Sequence, residues 1–278
     1  MTNVLMQLKP ERKPKAPKAP TGYIIYRGPS MLDGMPIVVV AITTSDNVKT
    51  GDMVQTYILP DNDMSPVVNA KLLNDASVCG NCKHRRGLGG SCYVNLWEGV
   101  RKVADGVVRG IYPQDPKQAA FKCYDRKVRL GTYGDPMAVP FWIWFDFLEF
   151  KGHNYTGYTH QWNNPAIPAE QKEVIMQLCM ASVDTEQEYL DASALGYRTF
   201  RVRTAEQPVL KGEFPCPASE EQGKRLTCAQ CMACDGTGID DAGKRRASPV
   251  IVVHGSLKNR FQGVHVWIET LSEVEIVS

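Results

Sequence analysis

Residues 128–162, VRLGTYGDPMAVPFWIWFDFLEFKGHNYTGYTHQW, hold the pattern that decides the fold. A β-rich run ends in the polar turn YGD, an apolar stretch follows, and a second β-rich run ends in YTH. Strands that alternate with helices and end in polar or glycine-bearing turns are typical of parallel β/α units. The stretch therefore predicts a sheet with a helix packed beneath it. We expect these aromatic side chains to be buried in that packing: Phe141, Trp142, Trp144, Phe145, Phe147 and Phe150.

The same alternation continues toward the C-terminus. The runs are LCMASVD (178–184), TEQEYLDASALG (185–196), YRTFRV (197–202) and PVIVVHG (249–255). The second is amphipathic and predicts a helix capped by Asp184 or Thr185. Roughly five such units predict an α/β fold, a partial or closed TIM-like (β/α) barrel, whose functional side chains gather at the carboxyl ends of the strands. The candidate catalytic residues there are Asp135, His160, Asp184 and His254.

Upstream of the barrel the sequence predicts two further segments. Three β-rich runs separated by turns, within residues 21–65, predict an N-terminal antiparallel β extension. Residues 1–20 carry five basic side chains and one acidic side chain among prolines, which predicts a flexible basic arm. Residues 66–278 then form the cysteine-loop and barrel domain.

Composition limits the class of protein. Of 278 residues, 43% are hydrophobic and 22% charged, as in globular chains that build a core. No apolar run approaches the roughly eighteen residues of a membrane span, so no membrane contact is expected. The N-terminus does not resemble a secretory signal, and we expect a cytoplasmic protein. The net charge of +2 is a balance of +4 in the arm and −2 in the remainder.

Seven of the nine cysteines fall into two groups. The first cysteine group is Cys79, Cys82 and Cys92, with the spacing C-x2-C-x9-C. The second cysteine group is Cys216, Cys228, Cys231 and Cys234, which ends in C-x2-C-x2-C. Disulfides are not expected in the reducing environment of the cytoplasm. The spacing of the cysteines therefore indicates metal binding.

The second cysteine group supplies four thiolates, enough for a [4Fe–4S] cluster or a tetrahedral zinc ion. Its short repeated spacing favours iron–sulfur, because zinc ribbons usually separate two C-x2-C pairs.

The first cysteine group has three members in close range. Three thiolates on a [4Fe–4S] cluster leave one iron free to bind a substrate or cofactor. Zinc is the alternative, with His84 or Cys123 as the fourth ligand. His84, beside two arginines, is otherwise expected to be a solvated residue, and Cys123 and Cys179 to be small buried hydrophobes.

Over about residues 23–255, the order of these motifs, including RLGTYGDP, GYTHQW and the two cysteine groups, resembles an uncharacterised group of phage and plasmid proteins, the gene product 88 type. If the chain is phage-encoded, the expected location is the host cytoplasm. The layout is in turn similar to radical S-adenosylmethionine enzymes. That resemblance implies a leading strand at MVQTYILP, a cluster loop at the first cysteine group and an auxiliary site at the second. It also implies that Tyr93, Gly134 and Asp135 bind the cofactor. The usual cluster motif is C-x3-C-x2-C, from which C-x2-C-x9-C departs.

Two functions from different classes follow. The first is a radical S-adenosylmethionine-like enzyme with one or two [4Fe–4S] clusters, which acts on an unknown small molecule, nucleotide or nucleic acid. The second is a non-catalytic phage protein, stabilised by zinc or iron–sulfur. It would contact nucleic-acid phosphates non-specifically through the basic arm, KHRR (83–86) and GKRR (243–246).

Overall fold

The computed structural model describes residues 19–45, 47–148, 154–236, 238, 240 and 242–261. It shows a mixed α/β fold with two five-stranded sheets, of order β1-β2-β3-β4-β5 and β6-β7-β8-β10-β9. The strands are β1 (Gly22–Pro29), β2 (Pro36–Ile42), β3 (Val54–Pro60), β4 (Val128–Tyr133), β5 (Tyr155–Thr156), β6 (Tyr158–Thr159), β7 (Met180–Val183), β8 (Thr199–Arg203), β9 (Glu213–Pro215) and β10 (Ser248–Val252).

Helices fill most of the connections between these strands. They are α1 (Pro66–Lys71), α2 (Ala76–Cys79), α3 (Gly99–Val108), α4 (Pro116–Lys122), α5 (Phe141–Leu148), α6 (Ala169–Leu178), α7 (Glu186–Ala194) and α8 (Cys228–Cys231). The cap of α7 is Thr185, whose hydroxyl accepts from the Glu188 N–H while the Glu188 carboxylate accepts from the Thr185 N–H. This reciprocal pair leaves Asp184 free for another role.

The predicted antiparallel extension is confirmed. β1 pairs with β2, and β2 with β3, in antiparallel register. From β3 onward every pairing is parallel, through β4 and β5 in the first sheet and from β6 to β10 in the second. The residues of β2 from Ile37 to Ala41 are buried on both faces, as expected of an apolar run inside a packed sheet.

The two sheets are adjacent along the chain at Gly157, which separates β5 from β6. Its N–H donates to the Cys234 carbonyl at 3.0 Å, and its carbonyl accepts from the Met180 N–H at 3.0 Å. A side chain here would collide with the Cys179 sulfur, since a Cβ would lie 2.5 Å from it. The glycine therefore allows the Cys179 side chain, just after α6, to approach the strands closely.

The prediction that all aromatic residues of α5 are buried is wrong for two of them. Trp144 and Phe147 lie in the core, but Trp142 and Phe145 are 50% and 51% exposed. A helix that packs with one face against its neighbours leaves the opposite face in solvent, whatever its composition. Phe150 lies outside the described residues.

The main core lies between β1 to β4 and helices α3, α5 and α6. A smaller cluster packs Cys216 and Ala218 against Ile251 of β10. No helix in the part of the chain that the structure describes is both long enough and apolar enough to cross a membrane. The basic arm falls outside the described residues up to position 18, as do residues 262–278 of the predicted barrel domain.

Candidate functional site

A cavity of about 170 Å³ is lined by residues of both sheets and by all seven cysteines of the two groups. Its walls include side chains from β4, β6, β7, β8 and β10. Several lining residues, among them Asp135, His160 and His254, directly follow or closely follow a strand. The cavity therefore lies toward the carboxyl ends of the parallel strands, where sequence reasoning expected a site.

The loop of the first cysteine group folds through backbone hydrogen bonds. The Cys82 N–H donates to the Cys79 carbonyl at 3.2 Å, and the Cys92 N–H to the His84 carbonyl at 2.9 Å. Arg85 fixes the loop from within, since its guanidinium binds the Asp75 carboxylate at 2.5 Å and the Gly80 carbonyl at 3.0 Å. The loop thus brings Cys79, Cys82 and Cys92 to the cavity, although nine residues separate the last two along the chain.

The cysteines of this group are partly buried. Burial raises the pKa of Cys79 well above its ordinary value, and the charges of Cys82 and Cys92 raise it further. Burial likewise raises the pKa of Cys82 to about 12 and that of Cys92 to about 11. Because a metal cation favours the thiolate form, these thiols ionise most readily when they bind one.

The second cysteine group is anchored at Cys216 and Cys228 by backbone hydrogen bonds. The Cys228 N–H, at the start of α8, donates to the Lys49 carbonyl at 2.9 Å, and the Cys216 N–H donates to the Val250 carbonyl of β10 at 2.8 Å. Burial raises the pKa of Cys234 to about 12, against the effect of a hydrogen bond with the Tyr158 hydroxyl. Burial also raises the pKa of Cys216, while Lys49 lowers it.

Within the described ranges, no group of three or more His, Cys, Asp and Glu side chains is placed so that it could hold a metal ion. None of the nine cysteines forms a disulfide bond. The predicted ligand Cys123 does not line the cavity but lies in the main core with Cys179. The structure therefore brings seven of the eight predicted metal-ligating cysteines to one cavity.

His84 is buried, so the expectation of a solvated residue is wrong. Its Nε2 lies 2.7 Å from Asp184 Oδ2, and its Nδ1 lies 2.8 Å from the Ser91 hydroxyl. Lys83 Nζ also lies 2.9 Å from Asp184 Oδ2. Burial alone would raise the pKa of Asp184, but the hydrogen bond and charge of His84 and the charge of Lys83 hold it well below its ordinary value. Both ring nitrogens of His84 are thus engaged by protein groups.

Asp135 and His160 meet at the cavity. The His160 N–H donates to Asp135 Oδ2 at 2.8 Å, and the Met137 N–H donates to Oδ1 at 3.0 Å. Burial raises the pKa of Asp135, and these hydrogen bonds oppose it. The preceding Gly134 has φ +81°, and a Cβ on it would lie 2.6 Å from the Ile58 Cβ. Only glycine allows this turn, which directs Asp135 to the cavity.

His254 contacts residues from two other segments. Its Nε2 lies 3.1 Å from Lys49 Nζ, and its ring lies 5.2 Å from the ring of Tyr93. Burial, with the charge of Lys49, lowers the pKa of His254 to about 4. The Tyr93 hydroxyl in turn accepts from Arg129 Nη2 at 2.7 Å.

Sequence reasoning missed Lys49 and Arg129 as cavity residues. Lys49 lies in a turn, and Arg129 lies in a strand at the start of the motif RLGTYGDP, in which only Gly134 and Asp135 were singled out. A charged residue inside the apolar strand VRLGTY was the available signal.

The basic segment KHRR is used internally. Lys83 binds Asp184 and Glu188, Arg85 binds Asp75, and Arg86 donates to the Val94 carbonyl. In GKRR, Arg246 pairs with Asp235 while Lys244 and Arg245 are exposed. Most of these charges already have protein partners.

Comparisons of the chain with protein-family models, with curated proteins and with solved structures find no match.

Proposed function

We propose that the protein is an iron–sulfur enzyme of the radical S-adenosylmethionine type. The observation that carries this proposal is that both cysteine groups line one cavity, together with residues from parallel strands of both sheets. A protein that used its cysteines only to fasten loops would have no need to direct two groups toward the same interior space.

The donor chemistry fits iron–sulfur clusters. Both groups offer sulfur, the ligand that such clusters take, and each cysteine binds a different iron, so that the sulfurs need not converge on one ion. The two nitrogens of His84 are occupied by Asp184 and Ser91, and Cys123 lies in the core. The first cysteine group would therefore hold a cluster by three thiolates, and the second by four.

When bound by three thiolates, a cluster offers a free iron and an electron for the cleavage of S-adenosylmethionine. The chain's own part is to bind, orient and shield. Tyr93, Gly134 and Asp135 line the cavity beside the first cysteine group and would bind the cofactor. Apolar side chains, including Phe200, Val202 and Ile251, line the same space and would exclude water.

The strand arrangement supports the finer architecture. β3, β4, β5, β6, β7, β8 and β10 run parallel within their sheets, and one residue separates β5 from β6. We infer a partial (β/α) barrel in which these strands curve around the cavity. The antiparallel β1 and β2 would then close its first edge.

Anaerobic purification with analysis of iron, sulfide and zinc tests the function. We expect about eight irons per chain for two clusters. Cys82→Ala should lose about half of the iron, whereas Cys179→Ala, a buried cysteine away from the cavity, should keep it. Incubation with S-adenosylmethionine and dithionite should cleave the cofactor, measured by chromatography. About two zinc ions and no iron would overturn the proposal and leave a metal-stabilised binding protein.

A further inference from the structure

Arg129 differs from the other buried arginines of the described chain. Arg85, Arg198, Arg201 and Arg203 each form an ion pair with a carboxylate: with Asp75, Asp235, Glu213 and Glu221 respectively. Arg129 is 6% exposed and has no carboxylate partner within the described residues. Its guanidinium instead donates to the Tyr93 hydroxyl and lies 5.2 Å from the centre of the Tyr158 ring.

A buried charge without a counter-charge is costly, so proteins rarely keep one without a reason. Cation–π and hydroxyl contacts stabilise a guanidinium but supply no counter-charge, and the thiols of Cys228 and Cys234 act on Arg129 only through space, when they are ionised. Asp135 is the carboxylate that lines the same cavity, and its oxygens already accept from the Met137 and His160 N–H groups. A negative charge in direct contact with the guanidinium is therefore expected from a molecule in the cavity.

Lys49 adds a second positive group to the lining of the same cavity. Its ammonium contacts Nε2 of His254, a neutral acceptor, and it too lacks a carboxylate partner within the described ranges. Burial lowers the pKa of Lys49 and the charge of Arg129 lowers it further, whereas ionised thiols of Cys216, Cys228 and Cys234 would raise it. Two cations that repel each other in an apolar cavity would both be relieved by one anion between them.

We propose that Arg129 and Lys49 bind the anionic group, a carboxylate or a phosphate, of the molecule that occupies this cavity. The planar guanidinium suits either group, because both can accept two parallel N–H bonds. The apolar side chains Phe200, Val202 and Val253 face the remainder of the ligand. The substrate is thus an anion attached to an apolar or aromatic body. The inference rests on the proposed function in taking this cavity as the substrate site, where the anion and a cluster on the second cysteine group would share the two cations.

Titration calorimetry on the anaerobically purified chain tests the proposal with phenyl phosphate, benzoate and the uncharged phenol. We expect at least one anion to bind about tenfold or more tightly than phenol, and the stronger of the two anions identifies the group. Arg129→Gln and Lys49→Gln should each lower the affinity for that anion about tenfold or more. Arg101→Gln, on the exposed face of α3, should leave the affinity unchanged.

The proposal is overturned if neither anion binds more tightly than phenol, or if both variants bind as the wild type does. Should Arg129→Gln fail to fold by circular dichroism, the half-buried Lys49→Gln decides the outcome. Iron is measured in the same samples. Anion binding without iron would uphold this inference and contradict the proposed function. Iron that is lost in both variants, with no anion binding to the wild type, would show instead that the two cations neutralise the second cysteine group.

Discussion

His84 Nε2 and Asp184 Oδ2 lie 2.7 Å apart, which ties the loop of the first cysteine group to the end of β7. Lys83 Nζ reaches the same carboxylate oxygen at 2.9 Å. One buried carboxylate thus fixes two consecutive residues of a loop that has little regular structure of its own. The orientation of Cys82, the residue before Lys83, depends on this contact.

Asp184→Asn should lower the free energy of unfolding by about 3 kcal/mol, because it leaves buried positive and polar groups without their anion. Urea unfolding followed by circular dichroism measures this loss. Asp191→Asn is the matched control: Asp191 is exposed on α7 and should change stability by less than about 0.5 kcal/mol. Equal effects of the two substitutions would contradict a structural role for the His84–Asp184 contact.

The strands were predictable because their signals are local. Each β-rich run carries its own alternation and its own turn, so β1, β2, β3, β4, β7, β8 and β10 follow from short stretches of sequence. Thr185 as the cap of α7 was one of two local options, and the Glu188 carboxylate decided it by completing a capping box.

The polar contacts of the cavity were not predictable in the same way. Lys49 meets His254 across 205 residues, and Arg129 meets Tyr93 across 36. Nothing in the neighbourhood of either residue records its distant partner. His84 was expected in solvent because its neighbours are basic, but distant carboxylates pair with those neighbours and bury it.

Gly134→Ala should destabilise the protein by more than a substitution at another glycine of similar backbone geometry. Gly134 and Gly196 have φ of +81° and +83°, but a Cβ on Gly134 would lie 2.6 Å from the Ile58 Cβ while one on Gly196 would meet nothing within 4 Å. In both variants the free energy of unfolding should fall by about 1 kcal/mol, because alanine is strained at a positive φ. In Gly134→Ala it should fall by about 2 kcal/mol more, because the new methyl group collides with Ile58.

Thermal and urea unfolding of the two variants give this difference directly. Equal stability of Gly134→Ala and Gly196→Ala would contradict the close packing of the turn after β4 against β3.

Cys123→Ala should keep the full metal content, because Cys123 lies in the main core and away from the cavity. Its cost should be confined to stability, about 1 kcal/mol for the loss of a small buried side chain. Cys92→Ala, which alters a cavity cysteine, should lose the metal of the first cysteine group. Metal analysis with unfolding measurements separates these effects, and loss of metal from Cys123→Ala would make that residue a fourth ligand.

His254 should make the protein less stable as the pH falls from about 6.5 to about 4. The unfolded chain takes up a proton on this imidazole near its ordinary pKa of 6.5, whereas in the fold burial and Lys49 lower the pKa to about 4. Between these values the unfolded state binds more protons, so falling pH favours unfolding. Below about pH 4 both states are protonated, and the contribution stops changing.

His254→Gln removes the titrating group, while the Gln carbonyl oxygen can still accept from Lys49. Urea midpoints at about pH 7.5 and about pH 5 should therefore differ less for this variant than for the wild type. The carboxylates titrate in both proteins, so their contribution to the pH dependence of stability cancels in this comparison. An unchanged difference would mean that His254 is already protonated in the fold, and the Lys49 ammonium could not then donate to it.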